Sequence, residues 1–516
     1  LKTSSNLQLL VTVFVSGMTT LAVEISASRL LGNIFGTSNL VWANIIGLML
    51  LYLAAGYFIG GRWADRSPYP RTFYSILIVA AFLTALVPLV ARPVLRFAAE
   101  AMAGLNALVA GGSFLGVLIL FAVPVTLLGC ASPFAIRLAV TDSRQAGRIA
   151  GRIYALSTLG SLLGTFLPVL ILIPTIGTTW TFLSFAGLLF VVALIGLTPL
   201  DPRRAAASLL LPLLIAAAAS LSLSGSQRPI PGLIPESEIE SEYNFIQVVQ
   251  RGEWRYLLLN EGQGIHSVYH PTQIETGMVW DYFLTAAYFN PAPRVESFAN
   301  IGLAGGTAAR QYTAVFGPIP IDGYEIDGAI VETGRKFMGL TEPNINAIIG
   351  DGRVELARSS RRYSVVGVDA YRVPYIPWQL TTREFFEEVR GKLSDDGALV
   401  VNVGRTPTDH RLVAAMAGTI GSVFPSVHVV DIPDTFNSIV YATVQPTQAE
   451  TLRANLEALP DDAPPLLRNA LARTLANLVP TPRSDTVFTD DLAPVEWISN
   501  SIVLNFFLEG GLGLFR

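Results

Sequence analysis

The sequence predicts two fold classes in one chain: an N-terminal all-α transmembrane bundle, then a C-terminal α/β domain introduced by a small antiparallel β-sheet. Three observations predict this. Of 516 residues, 51% are hydrophobic and only 14% charged, with a mean hydropathy of +0.49; ordinary soluble domains carry about 25% charged residues. The charges are sparse before Asp201 and ordinary after Glu236. Beyond Phe298 short apolar runs alternate with amphipathic stretches, the pattern of βαβ units.

In the first half, runs long enough to cross the hydrocarbon core lie at about 7–31, 38–60, 72–91, 107–130, 153–174, 178–198 and 205–222. The arginine-bearing connections 61–71, 137–152 and 201–204 fall with Lys2 on one side, as the positive-inside rule requires, while Arg92 and Arg96 are exceptions. Seven crossings would put everything after Leu223 outside. The last run contains Pro212 and many alanines, and as a re-entrant or interfacial segment it would leave the C-terminal half inside. Glu24 and Arg29 are costly in lipid and either serve a function, pair with each other or reach the interface. In GGRWADR after the second run, Asp65 and Arg66 suit a clamp between helix ends, and the Gly160–Gly164 spacing suits close helix packing. The expected location is an integral membrane protein of a prokaryotic inner or plasma membrane, with the lipid bilayer as a partner and the side of the C-terminal domain open.

The expected organisation is a transmembrane domain over 1–222, a Ser/Gly/Pro-rich linker over 223–236, a β-hairpin region over 237–297, a nucleoside-binding core over 298–445 and a helical extension over 446–516. Two alternating runs flank Arg251-Gly252, a hairpin signature, and QGIHSVY continues that sheet. An aromatic-faced helix follows in TGMVWDYFLTAAYF. Strands are expected at 298–302, 321–325, 345–349, 363–368 and 397–403, helices near 306–316, 328–338, 352–359, 381–392 and 408–423, and a closing antiparallel pair at 426–431 and 438–444. Five parallel strands closed by a hairpin make a doubly wound, Rossmann-like sheet of methyltransferase type.

The chemistry follows from position, because ligands of such sheets bind at the carboxyl ends of the strands. IGLAGGT ends the first strand; Gly302, Gly305 and Gly306 are expected to let a ligand approach the backbone and to leave free amides at a helix start. Glu325 ends the second strand some twenty residues later, where an acid takes ribose hydroxyls. Asp351, beside Gly352, is either an acceptor for an adenine amino group or a helix N-cap, or both. Asp369 ends the fourth strand as a general base, an ammonium-binding carboxylate or a buried structural aspartate. A net charge of −4 gives no case for nucleic acid. One cysteine, Cys130, excludes an intrachain disulfide and a CxxC metal site, and four histidines, His266 and His270 among them, do not build a rich metal centre, so no metal is expected.

These residues, in this order, resemble the spermidine synthase (polyamine aminopropyltransferase) family from about Glu238 to Val444: LNEGQG, NPAP, YEID, GDGR and TTREFFEEVRGKLSDDGALVVNV all match. The whole chain resembles membrane-fused spermidine synthase-like proteins. The resemblance implies that Glu325 holds ribose, Asp351 adenine, Gln263 the nucleoside side of the pocket, and that Asp369 orients and deprotonates an attacking amine. It implies decarboxylated S-adenosylmethionine as the donor, a small-molecule amine as the acceptor, and a homodimer or membrane-complex subunit as the assembly.

Three departures stand out. IGLAGGT lacks the aspartate that the family's glycine loop carries. The family's Asp-x-x-Asp becomes Asp369-Ala370-Tyr371-Arg372, and its upstream Tyr-His pair is replaced near Trp280 and Asp281. A guanidinium in place of a carboxylate disfavours a polycation, since charges ~4 Å apart interact by a few kcal/mol near a protein surface. S-adenosylmethionine, with its carboxylate, fits such a loop better. Tyr371, Arg372, Asp281, Asp490 and Asp491 are the expected substrate-side candidates; Asp490, Asp491 and Glu496 restore negative charge if the tail covers the cleft, and otherwise cap a helix. Three functions stay open: aminopropyl transfer, methyl transfer from S-adenosylmethionine to a membrane-delivered acceptor, and a non-catalytic membrane carrier or assembly subunit with a vestigial nucleoside domain.

Overall fold

The computed structural model describes residues 2–35, 39–103, 108–222, 230, 232–260, 264–371 and 375–508. Two compact units result, Leu1–Arg228 with Glu240–Glu242, and Pro229–Ile239 with Tyr243–Arg516.

The first unit is all-helical. Among the described residues six helical runs are long and apolar enough to cross a membrane: Leu7–Gly32, Asn39–Arg66, Pro70–Leu95, Gly111–Ala139, Ser143–Leu197 and Pro202–Ser220. The fifth has 55 residues, about 80 Å if straight, far more than a ~30 Å hydrocarbon core needs. Its contacts with the helix Lys2–Phe35 explain the length. A Cβ on Gly160 would lie 2.0 Å from the Phe14 carbonyl oxygen, and one on Gly164 2.0 Å from that of Met18, so the first half runs alongside in the same direction. Gln8 Nε2 donates to Val192 O at 2.8 Å and Thr19 Oγ1 to Phe185 O at 3.4 Å, which is the opposite direction. The run therefore doubles back. A π-helical turn at Pro168–Leu172 and non-helical Gly177 (φ 78°, ψ 169°) make the reversal. Two of the seven apolar segments expected from the sequence, 153–174 and 178–198, thus lie in one continuous helical run.

Bare backbone at Gly160 and Gly164 is what lets the two helices touch. Gly160→Ala is expected to destabilise the full chain by about 1–3 kcal/mol, as overpacking does, and to lower its melting temperature in detergent. Gly151→Ala on the same helix, where a Cβ meets nothing within 4 Å, should leave it unchanged or slightly raised. At the GGRWADR turn Asp65 accepts from Arg137 Nε at 3.2 Å, tying two helix ends through an exposed ion pair.

The second unit begins with a four-stranded antiparallel sheet, β1 (Ile234–Glu240), β2 (Phe245–Arg251), β3 (Trp254–Leu259) and β4 (Ile265–Tyr269), in that spatial order. Gly252 (φ 62°) supplies the left-handed turn between β2 and β3. Strand β1 corrects the sequence reading, which placed 234–236 in a linker. Its Pro235 and alternating acids hide a strand, and an edge position tolerates both.

The main sheet has eight strands: β5 (Phe298–Ile301), β6 (Ile321–Glu325), β7 (Ile345–Ile349), β8 (Tyr363–Val368), β9 (Leu393–Gly404), β10 (Ser426–Asp431), β11 (Asn437–Thr443) and β12 (Leu478–Val479), in the order β12-β10-β11-β9-β8-β5-β6-β7. Strands β5 to β9 pair in parallel, and β9–β11, β11–β10 and β10–β12 antiparallel. The two-residue β12 is an addition to the expected topology. Alternation along each strand fills both faces: Val366, Val368, Leu399 and Val401 pack with Phe385, Phe386 and Met416, while Val365, Ala398 and Val400 pack with Phe283, Phe289 and Tyr312. The chain winds from β5 through β6 to β7, then returns to the other side of β5 for β8. That return leaves a switch point between β5 and β8.

Candidate active site

The switch point brings two of the expected residues together. Ile301 pairs with Val368, so Gly302 and Asp369 leave adjacent strands side by side. Asp369 N donates to Ile301 O at 2.9 Å. A Cβ on Gly302 (φ 87°) would lie 2.5 Å from the Asp369 carbonyl oxygen, so both backbone angle and space demand glycine there. Glu325 ends the neighbouring strand β6.

The glycine loop differs from expectation in one respect. Its amides are not free: Gly302 and Leu303 donate to Tyr324 O, Ala304 to Glu325 Oε2, Gly305 to Ser267 Oγ and Gly306 to Leu303 O. The glycines instead allow close backbone contact, since Cβ atoms on Gly305 and Gly306 would meet Ser267 at 2.9 Å and Leu340 at 2.5 Å. Ala304 sits at φ 48°, a left-handed conformation costing ~1–3 kcal/mol in a residue with a side chain; it aims its amide at Glu325. Thr307, opening the following helix, both accepts from Val268 N and donates to Val268 O at 2.9 Å. Strand β4 is thereby clasped to the loop.

Glu325 is buried and takes one amide on each oxygen, from Ala304 at 2.9 Å and Asp327 at 3.2 Å. Burial pushes its carboxyl up to about 7, only partly offset by these amides. Asp351 Oδ1 accepts from the amides of Arg353 and Val354, an N-cap for the helix Gly352–Arg358, and Oδ2 makes no hydrogen bond among the described residues. A Cβ on Gly352 would fall 2.6 Å from Ile301 Cγ2, so this helix start presses on β5. Ile326, Ile349 and Val354, exposed at the ends of β6 and β7 and in that first helical turn, add an apolar surface that motif reading missed. Exposed branched side chains directly after strands are the signal that could have found it.

Asp369 is held on both oxygens: Trp280 Nε1 donates to Oδ2 at 3.0 Å and Asn402 Nδ2 to Oδ1 at 2.8 Å. Asn437 Nδ2 in turn donates to Asn402 Oδ1 at 2.9 Å, and Tyr371 Oη to Asn402 O at 3.0 Å. Burial raises the Asp369 carboxyl to about 6, against the pull of its two donors. The same burial, with Asp369 beside it, raises the Tyr371 phenol well above its ordinary range. Asn402 and Asn437 had no sequence signal; they lie on β9 and β11, brought in by sheet order.

Two substrate-side expectations do not match the geometry. Asp281 is fully buried and its carboxylate is consumed by the protein: Thr276 N and Oγ1, Gly277 N, Gln311 Nε2 and Arg473 Nη2 all donate to it, at 2.6–3.1 Å. Asp490 is paired at 2.8 Å with Arg353, which Glu388 shares at 2.7 Å, and takes the Thr382 hydroxyl at 2.7 Å, so it is tied to the first turn of the helix Gly352–Arg358. Its carboxyl is held below the usual range by the Arg353 bond. Asp491 is exposed. Gln263 and Arg372 lie outside the described residues.

Residues 317–454 match the spermine/spermidine synthase domain family. A probable polyamine aminopropyl transferase of Bifidobacterium longum is 31% identical over 275 residues, which is 50% of this chain and 61% of the relative's length. A polyamine aminopropyltransferase of Vibrio vulnificus is 28% identical over 235 residues, 43% of this chain and 76% of that protein. The crystal structure of spermidine synthase from Thermotoga maritima aligns over 50% of this chain and 95% of its own, at 15% identity and a TM-score of 0.39. The matched domain spans β6 to β11 of the sheet that carries Glu325 and Asp369, and over this part the chain is similar to the spermine/spermidine synthase domain family.

Proposed function

We propose that the chain is a membrane-bound aminopropyltransferase that moves the aminopropyl group of decarboxylated S-adenosylmethionine onto an amine. The observation that carries this reading is Asp369: a buried carboxylate at the switch point, steadied by Trp280 and Asn402, with one lone pair left on each oxygen. Glu325 takes the ribose hydroxyls, Asp351 Oδ2 the adenine amino group, and Ile326 and Ile349 the faces of the base. Gln263 contributes to the nucleoside side. The amine nitrogen attacks the aminopropyl carbon bonded to sulfur; the C–S bond breaks with its electron pair left on sulfur, giving methylthioadenosine. The proton shed by the nitrogen passes to Asp369. Placement of the amine in line with that carbon and exclusion of water supply most of the acceleration. The six long apolar helices support a membrane setting.

The test is to supply the purified full chain with decarboxylated S-adenosylmethionine and a panel of mono-, di- and polyamines. Methylthioadenosine should form in step with an aminopropylated amine. If none of the panel yields it, the reading fails; S-adenosylhomocysteine formed from S-adenosylmethionine would assign methyl transfer instead.

A further inference from the structure

We infer that Arg353 is a positioning residue for the adenine contact of Asp351, and that through it the C-terminal tail takes part in donor recognition. The inference rests on the nucleoside reading above. Asp351 caps a helix of seven residues, Gly352–Arg358. So short a helix is not stable by itself, and the direction of Asp351 Oδ2 depends on what fixes its first turn. The cap is internal to the helix, and Gly352 presses that turn on Ile301 of β5. Arg353 ties it sideways to other elements.

The Arg353 side chain is only 16% exposed, and its guanidinium serves acceptors on three segments. Nε and Nη2 donate to Glu388 at 2.7–3.2 Å, Nη1 and Nη2 to Asp490 at 2.8 and 2.9 Å, and Nη1 to Gln379 O at 3.2 Å. Both carboxylates stand on anchored chain. The helix of Glu388, Arg383–Lys392, buries Phe385, Phe386 and Val389. Asp490 takes the Thr382 hydroxyl at 2.7 Å and its amide donates to Glu384 at 3.0 Å, while buried Phe488 accepts from Arg383 N at 2.9 Å. The tail is thus seated by contacts of its own, and Arg353 ties the Asp351 turn to it.

A planar fork with five donors can serve two carboxylates and a carbonyl at once, which the compact ammonium of lysine cannot span. Without the fork the first helical turn is free to shift, and a hydrogen bond to an adenine amino group weakens steeply with distance and angle. The loss falls on that contact, because the ribose acceptor, Glu325, is held separately by the amides of Ala304 and Asp327.

Calorimetry on the full chain in zwitterionic nanodiscs tests this, with methylthioadenosine and its analogue bearing hydrogen in place of the 6-amino group. Asp351→Asn keeps a capping oxygen and turns an NH2 toward the base; it should weaken methylthioadenosine about tenfold and the analogue by less than about twofold. Arg353→Lys should show the same selectivity at about fivefold, and Asp490→Asn at about threefold. Asp490→Asn carries the test if the lysine variant does not fold. Equal weakening of both ligands by folded Arg353→Lys, the mark of a purely structural role, would overturn the inference, as would unchanged binding in either variant. A selective loss in Asp351→Asn would then leave the nucleoside reading standing. If Asp351→Asn shows no selectivity, or methylthioadenosine does not bind the unaltered chain, that reading fails and the inference with it.

Discussion

Asp369→Asn should lower kcat for aminopropyl transfer by about two to four decades, the usual contribution of a positioned general base, while changing the affinity for methylthioadenosine little. The carboxamide can keep one of the two existing contacts, so the fold should survive: Trp280 Nε1 can still donate to the amide oxygen, whereas the Asn402 amide would then face another NH2 group. The pH profile gives a second readout. Raised to about 6 by burial, the carboxyl must be ionised to take a proton. The rate should therefore fall about tenfold per pH unit below 6 and flatten above it, until the amine's own titration intervenes. A variant that loses the rate but keeps the break near pH 6 would assign that break to another group.

Glu325→Gln should weaken nucleoside binding by roughly 3 kcal/mol, about two decades, because two ribose hydroxyls lose a charged acceptor and such bonds are worth ~1.5–3 kcal/mol each. The sign of the pH dependence follows from its raised carboxyl, at about 7. In the empty protein the ionised form is the disfavoured one. This group's contribution to stability is greatest in acid, declines as pH rises from the ordinary carboxyl range to about 7, and is level above that. Ribose hydroxyls favour the ionised form, so nucleoside binding should strengthen as pH rises toward 7 and release a proton just below it. Calorimetry at pH 6.5 in two buffers of different ionisation enthalpy measures that proton, and the Gln variant should release none.

The parallel strands, their crossover helices and the closing hairpin were legible because each obeys a local periodicity. Glu325 and Asp369 were legible because a strand end is a local feature. What escaped depends on groups distant in sequence. Asp281 looks available until Arg473, 192 residues later, closes on it. Trp280 meets Asp369 across 89 residues. The glycine loop predicts free amides, but whether an N–H points outward depends on its partners. Here Tyr324, Ser267 and Glu325 take them, the last only because Ala304 accepts a left-handed backbone. Strand β1 escaped because proline and acids at a sheet edge read as linker.

On the proposed reading two acids serve the nucleoside: Glu325, buried and poised near neutrality, and Asp351, with one oxygen spare among the described residues.

On the proposed reading one site at the ends of β5, β6 and β8 takes the nucleoside and presents its sulfur to Asp369. An experimental structure of the full chain with methylthioadenosine would show whether it does. Ribose hydroxyls should lie about 3 Å from Glu325, the adenine edge on Asp351 with Ile326 and Ile349 against its faces, and the sulfur should turn toward Asp369 and Trp280. A nucleoside bound away from Glu325, or with its sulfur on the far side of the glycine loop from Asp369, would contradict it.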